Sequence, residues 1–347
     1  MIGLTAAYYL SARGLRVHLL DPGPFPSAAT RASLGVLTHC NGGDDPFSRL
    51  YRQGHALHAH LSAQLHTETG LDVGWRPLGG LDLACTEAEI PTLRAELAYN
   101  QERNCPAEWV EGEALRHLEP TLSPQVLAGV YFPTDQRVDP EALCRALLQA
   151  AQARGARLSR GEGVEEFAQE GEGVRVSTRS AEHRADFLVL ATGAWTGALG
   201  EGQGVGVPVR PVRGQHCRFA GPPLRHILRW GGAHLLPAGA ELVAGATVEE
   251  VGFENATTPQ ATAHFSQLCG QLFDYPLRLL EQRAGLRPKP KGGRPHIGPL
   301  REQSRVLVAS GHYKNGILLG PLTGFLLAEW IAQGRPPLDL ERFAPQR

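Results

Sequence analysis

Apolar positions along this chain fall into blocks whose spacing alternates between that of helices and that of strands. Residues 3–13 (GLTAAYYLSAR) place apolar side chains all round a short helix that Gly14 stops, and 15–20 (LRVHLL) reads as a strand closed by Asp21. A helix is expected over 47–68, a strand over 75–85 and an acidic helix over 87–103. At 138–158, Asp139 as N-cap and Pro140 just inside the start predict a helix that Gly155 ends. A hairpin over 164–180 and an apolar strand over 186–195 follow. Residues 207–285 read as β-rich with one helix near 259–273, and the chain closes with a strand at 305–310, a glycine-rich turn and an apolar helix near 317–332. No repeat or low-complexity segment interrupts this order, which predicts a mixed α/β protein.

Composition narrows the class. The 347 residues suffice for two domains or one large one, and 42% hydrophobic with 20% charged residues is the balance of a globular chain. Lys plus Arg (34) nearly cancels Asp plus Glu (35), which argues against a nucleic-acid partner or an anionic membrane surface. The sequence has no run of 18 apolar residues, so no integral membrane contact is expected. The opening segment lacks the basic stretch and cleavage pattern of a secretory leader. Six scattered cysteines (Cys40, Cys85, Cys105, Cys144, Cys217, Cys269) without a C-x-x-C pair read as reduced thiols of a cytoplasmic protein, with no metal site. Lysine occurs three times, at Lys289, Lys291 and Lys314, and glycine 41 times.

Three stretches carry chemistry. Gly3 to Asp21 is helix, turn, strand and acidic residue, the second half of a dinucleotide-binding βαβ unit. Amides at the helix start face an anion, and the acid takes ribose hydroxyls. Only the last glycine of G-x-G-x-x-G is present, so the chain is expected to begin inside the motif, with its N-terminal strand missing. The second stretch is the strand end Ala191, Thr192, Gly193 (ATGAW), whose small residues leave room for a cofactor crossing above a sheet. In the third, a strand enters GHYKNG and then an apolar helix. That arrangement aims a helix N-terminus where a reduced flavin would carry negative charge.

In this order the three resemble the D-amino-acid oxidase superfamily of FAD enzymes, in its glycine oxidase branch. The matching pieces are GLTAAYYLSARGLRVHLLD, TRASLGVL, VDPEALCRAL, ATGAW, VRPVRGQ, VAGATVEEVGF, AGLRP, GRPHIG and GHYKNGILLGPLTG, which span nearly the whole chain. The resemblance implies a discontinuous Rossmann-like FAD-binding domain (1–40, 138–200 and 285–347). A substrate domain with a large mixed β-sheet would take 41–137 and 201–284. It implies oxidation of a small amine or amino acid (glycine, sarcosine or a D-amino acid) to the imine by hydride transfer to flavin N5, with oxygen as acceptor. For a glycine oxidase the pathway implied is thiamine synthesis. Arg287, in AGLRP, matches the family's carboxylate-binding arginine, and a planar guanidinium both holds and orients a carboxylate. Lys314 stands where the branch commonly has arginine, and Gly232 and His234 where it commonly has His and Tyr side chains, which leaves glycine itself open as substrate. Tyr313 joins them as a site residue. For the cofactor, the resemblance puts Gly3, Thr30, Arg31, Ser33 and Gly35 along the diphosphate and flavin, Asp21 on the ribose, and Val164 at adenine. Ala191, Thr192 and Gly193 line the crossing, and Gly311, His312, Asn315, Gly316, Ile317 and Leu318 back the ring.

Other features have plainer readings. His55, His58, His60 and His66 share a helix and read as a solvated face, Cys40 as an idle thiol, and Lys289, Lys291 and Arg294 as a solvated hairpin turn. Within the fold, a D-amino-acid dehydrogenase using another acceptor stays open. So do an FAD-deficient, non-catalytic relative and assembly as a homo-oligomer.

Overall fold

The computed structural model describes all residues except 27, 39–42, 302–303 and 346–347, so Cys40 lies outside the described residues. The first helix, Ile2–Ala12, is apolar on every side because it is packed on every side: Leu4, Ala6, Ala7, Tyr8 and Leu10 are all buried. Its main neighbour is the last long helix, Gly316–Gln333. The two approach closely because Gly324 has no side chain; a Cβ there would come within 2.5 Å of the Thr5 backbone. Thr5 Oγ1 uses that proximity to donate to the Gly320 carbonyl at 2.8 Å. Helix Gly316–Gln333 is long and apolar enough to cross a membrane, but its Leu319, Leu326, Leu327 and Ala328 are fully buried within the protein core.

Strands around this helix pair form two small sheets rather than one. His18–Asp21 runs parallel to Arg157–Arg160. Leu188–Leu190 runs parallel to Val306–Ser310, which pairs antiparallel with His296–Pro299. The outer edges of His18–Asp21 and Leu188–Leu190 share no ladder, and both border one cavity. A hairpin of Val164–Glu170 and Gly173–Thr178, extended by Glu182–Ala185, makes a third layer. The apolar stretch 186–195 is therefore shorter as a strand than its pattern suggests. It turns at Gly193 (φ 57°) into a 3-10 turn, Gly193–Trp195.

The largest element is an eight-stranded mixed sheet. Its order is Arg278–Pro290, Val209–Ala220, Glu241–Gly245, Ala233–Ala238, Ile227–Trp230, Gly80–Ala84, Ala128–Phe132, Glu108–Glu111, with Ile227–Trp230 and Gly80–Ala84 parallel and the remaining pairs antiparallel. Helix Pro259–Leu272 covers it, with Phe265 and Leu272 buried against Leu235 and Phe219. One apolar core thus gathers around Leu4, Leu61, Leu147, Ile297 and Leu326, and a second around Leu81, Phe219, Leu235 and Phe265. Beneath the large sheet, Arg229 is held between Asp82 and Asp135 and lies over the Phe132 ring, 5.1 Å from its centroid.

The histidine-rich helix, Pro46–Thr69, corrects one expectation. His60 and His66 are exposed, but His55 and His58 face the core and are 4% and 1% exposed. The helix packs that side against Gly316–Gln333, and His58 Nε2 lies 3.1 Å from the Leu318 carbonyl. A histidine is apolar enough for such a place when neutral and bonded. Residues 291–294 form a turn as expected, but not a hairpin: the strands it joins, Arg278–Pro290 and His296–Pro299, belong to different sheets, and Lys289 lies within the first of them, paired with Glu250.

Two stability predictions follow from this packing. Gly324→Val forces the first and last helices apart and costs about 1–3 kcal/mol, read as a lowered urea midpoint. Burial holds the His58 and His216 rings down at about 4, below the 6.5 of an exposed ring. The unfolded chain takes up those protons first. Stability is therefore full above pH 6.5 and falls by about 1.4 kcal/mol per pH unit per histidine as pH drops toward 4. Denaturation midpoints between pH 7 and pH 5 check this, and a flat profile would mean that these rings are charged in the fold.

Candidate active site

A cavity of about 1870 Å³ runs from the start of the first helix to the near end of the large sheet. At one end are Asp21, closing its strand, and Val164. The Asp21 carboxylate accepts from the Gly23 amide at 2.9 Å, which keeps it at the turn that borders the cavity. In the middle lie Gly3, Thr30, Ser33, Gly35, Ala191, Thr192 and Gly193. The first helical hydrogen bond is Thr5 N–H to Met1 O at 3.0 Å, so the amides of residues 2–4 have no helical acceptor. Gly3 faces Ala191, whose Cβ would stand 3.3 Å from any Cβ at position 3. Thr30 meets the same helix end, its Oγ1 3.3 Å from the Met1 ammonium. Free amides, a hydroxyl and small side chains at a helix start are the donor set a diphosphate requires, so these residues fit FAD.

Two strand ends are tied together where the cavity widens. Ser310 Oγ donates to the Gly193 carbonyl at 2.9 Å, and Thr196 Oγ1 donates to Ser310 Oγ at 2.8 Å. From Ser310 the chain passes Gly311 (φ 78°) and Tyr313 (φ 51°) into helix Gly316–Gln333. A tyrosine in the left-handed region is strained, and it sits where the strand is bent toward the cavity. His312, Asn315, Gly316 and Ile317 line the cavity here. His312 is buried and donates to or accepts from Thr323 Oγ1 at 3.0 Å, while burial lowers its pKa to about 3.

The sheet end of the cavity is lined by Arg287, His234, Tyr313 and Lys314, the four residues marked for catalysis. Arg287 belongs to strand Arg278–Pro290 and pairs with Val212 of Val209–Ala220. Its guanidinium lies flat over Gly214, where a Cβ would come within 2.2 Å of it. Nη1 donates to the Thr247 carbonyl at 2.8 Å, and no carboxylate pairs with Arg287 among the described residues. Burial lowers its pKa. Nearby acids serve other cations: Glu249 pairs with Arg213, and Glu250 with Arg210 and Lys289. Lys314 lies 5.7 Å from the Tyr313 ring centroid and likewise forms no ion pair among the described residues. Its pKa is lowered by burial and by the Arg287 charge. His234 is held down at about 4, by burial first and then by Arg229, so it is a neutral ring at neutral pH. Gly232 lies in the adjoining hairpin turn, with open space where a side chain would project.

Three marked residues do not line the cavity. Arg31 is exposed, and its carbonyl accepts from Arg283 at 3.2 Å. Gly311 acts by turning the chain, and Leu318 faces the core, with its carbonyl at His58. Sequence reasoning missed Gly214, Thr247 and Asn255: strand register places Gly214 beneath Arg287, and the segment between Glu241–Gly245 and Pro259–Leu272, bonded from Thr247 N–H to the Gln215 carbonyl, carries the other two. The VRPVRGQ motif contains Gly214 but carries no sign that Arg287 lies over it.

The FAD-dependent oxidoreductase (DAO) family model matches residues 1–330, and the chain belongs to that family. Among its relatives, the glycine oxidase of Geobacillus kaustophilus (strain HTA426) is 31% identical over 361 residues, covering 100% of this chain and 94% of the relative. The bifunctional protein ThiO/ThiG of Trichormus variabilis is 32% identical over 357 residues, and the chain spans 53% of its length. The crystal structure of the Geobacillus kaustophilus glycine oxidase superposes with a TM-score of 0.92 at 29% identity, over 100% of this chain and 96% of that one. The protein is an FAD-dependent oxidoreductase with the mixed α/β fold that its sequence implied.

Gly214→Ala pushes the Arg287 guanidinium off its seat while leaving a fold in which only a side-chain end has to move. Loss of a charge-assisted contact of about 1.5–3 kcal/mol weakens acetate binding about 10- to 100-fold. Titration of the bound-flavin absorbance with acetate measures it.

Proposed function

We propose that the protein oxidises a small α-amino acid, or an N-substituted relative of one, to its imine, with oxygen as the final acceptor. What carries this reading is Arg287, a half-buried guanidinium with no carboxylate partner among the described residues, at the end of a cavity whose other end fits FAD. The curated relatives named glycine oxidase support the same reaction class. FAD, when bound, supplies the two-electron acceptor of the reaction.

The protein's own residues bind and orient. The substrate carboxylate takes the free edge of Arg287, while Thr247 and Gly214 fix the plane of the guanidinium. In the oxidation the Cα–H bond breaks with its electron pair leaving, an N–H proton is released, and C=N forms. The amine must therefore arrive neutral. Arg287 and Lys314 favour that state because a positive charge beside an ammonium lowers its pKa, as Arg287 does to Lys314. Among the described residues no proton-abstracting carboxylate lines this end, and His234 contributes a neutral polar edge. With the protons handled by substrate and solvent, the site works by alignment.

The cofactor-binding unit in this reading comprises 1–40, 138–200 and 285–347, and the substrate unit 41–137 and 201–284. Glycine, sarcosine and D-alanine are the substrates to test first; with glycine, the imine formed suits thiazole assembly in thiamine synthesis. The cysteines suit the reducing cytoplasm: Cys85, Cys105, Cys144, Cys217 and Cys269 are all free thiols.

The purified protein is expected to be yellow, and anaerobic addition of a substrate amine to bleach the flavin band. Bleaching speeds up as pH rises, with an apparent pKa below that of the free amine. Arg287→Ala raises the substrate Kd about 10- to 100-fold. Colourless protein that takes up no added FAD, or an Arg287→Ala variant with unchanged affinity, would refute the assignment.

A further inference from the structure

Charge at the sheet end of the cavity does not balance. Arg210, Arg213 and Lys289 stand close by, and each has a glutamate partner, at 2.5 Å for Arg210–Glu250, 2.5 Å for Arg213–Glu249 and 3.1 Å for Lys289–Glu250. Arg287 and Lys314 line the cavity itself, and neither pairs with an acid among the described residues. Both face the same end of one cavity, where the Arg287 charge depresses the Lys314 pKa; Arg287 is half-buried and Lys314 exposed at the cavity's open side, so two like charges face one space in which an anionic ligand would relieve their repulsion. One α-carboxylate on Arg287 neutralises one of the two. The amine that reacts is neutral and adds no charge. Gly232, with open space above it, leaves room for a substrate larger than glycine.

We propose, resting on the amino-acid oxidase reading, that the preferred substrate is a short amine bearing two anionic groups, with its α-carboxylate on Arg287 and its second acid on Lys314. Amino dicarboxylates and N-carboxymethyl amino acids belong to this class. A lysine suits the second group because it acts as a point charge and accepts acids of varied geometry, whereas the fork of Arg287 demands a planar carboxylate.

The experiment uses the FAD-loaded enzyme. Anaerobic flavin reduction is compared for iminodiacetate and D-aspartate against glycine and D-alanine, and flavin absorbance is titrated with malonate against acetate. The wild type is expected to bind malonate about tenfold more tightly than acetate and to show a similar preference for the dianionic amines in the concentration giving half-maximal reduction rate. In Lys314→Met both preferences collapse toward unity, and Lys314→Arg restores them. Equal handling of mono- and dianions by the wild type overturns the proposal, as does a preference that survives Lys314→Met. If glycine or D-alanine bleaches the flavin in either case, the oxidase reading stands without the dianion. If no amine bleaches it, the oxidase reading itself fails, while the malonate and acetate titrations still report on the paired cations.

Discussion

One long antiparallel ladder does more than any other contact to organise this protein. Val209–Ala220 and Arg278–Pro290 pair over nearly their whole lengths, Val209 opposite Pro290 at one end and Ala220 opposite Arg278 at the other. One end of the ladder joins the buried sheet core around Phe219, and the other reaches the strand ends that surround Gly193 and Tyr313. Its register sets Gly214 opposite Gly285 and Val212 opposite Arg287. Both glycines are forced by what lies above them: the Arg287 guanidinium over Gly214, and the 28–32 backbone and Ala32 side chain over Gly285. A slip of one residue would turn the guanidinium to the opposite face of the sheet and away from the cavity.

Electrostatics divides the same region into spent and unspent charge. Beneath the sheet, Arg229 is neutralised by Asp82 and Asp135, and at the rim Glu249 and Glu250 serve Arg213, Arg210 and Lys289. Removing one partner of the buried Arg229 cluster would leave an uncompensated charge, so these pairs constrain the scaffold. The cations that remain available are those facing the cavity. A surface of this kind attracts anions without needing a large net charge, which agrees with an overall balance of -1.

The cofactor end rests on a different constraint, the close approach of the first and last helices at Gly324 and Gly320. That contact brings the amides at the start of Ile2–Ala12, Thr30 and the Ala191 strand end to one wall of the cavity. The two small sheets, one parallel and one mixed, flank this wall with edges that do not meet. Neutral buried histidines complete the core: His58 against Leu318, His216 against the Ala32 carbonyl and His312 against Thr323.

Much of this was legible along the chain. Asp139 and Pro140 set the start of their helix through local capping, and the helices Pro46–Thr69, Pro259–Leu272 and Gly316–Gln333 lie where their apolar spacing put them. The short-range motifs at Gly3, Asp21, Gly193 and GHYKNG also line the cavity they implied, because each is placed by a local feature: the first helix's start for Gly3, a strand end for Asp21, and a strand-to-helix junction for Gly193 and GHYKNG. Local pattern could not report which face of a polar helix meets a core, and so His55 and His58 were read as solvated. It could not separate a strand from its terminal turn at Gly193, nor show that Arg31 is exposed and does not line the cavity. Gly214 beneath Arg287, Thr247 as its acceptor, and the absence of any acid for Arg287 and Lys314 among the described residues were decided by tertiary structure alone. Those facts depend on pairing between strands some seventy residues apart, and such pairing is settled by packing and burial rather than by any neighbour in sequence.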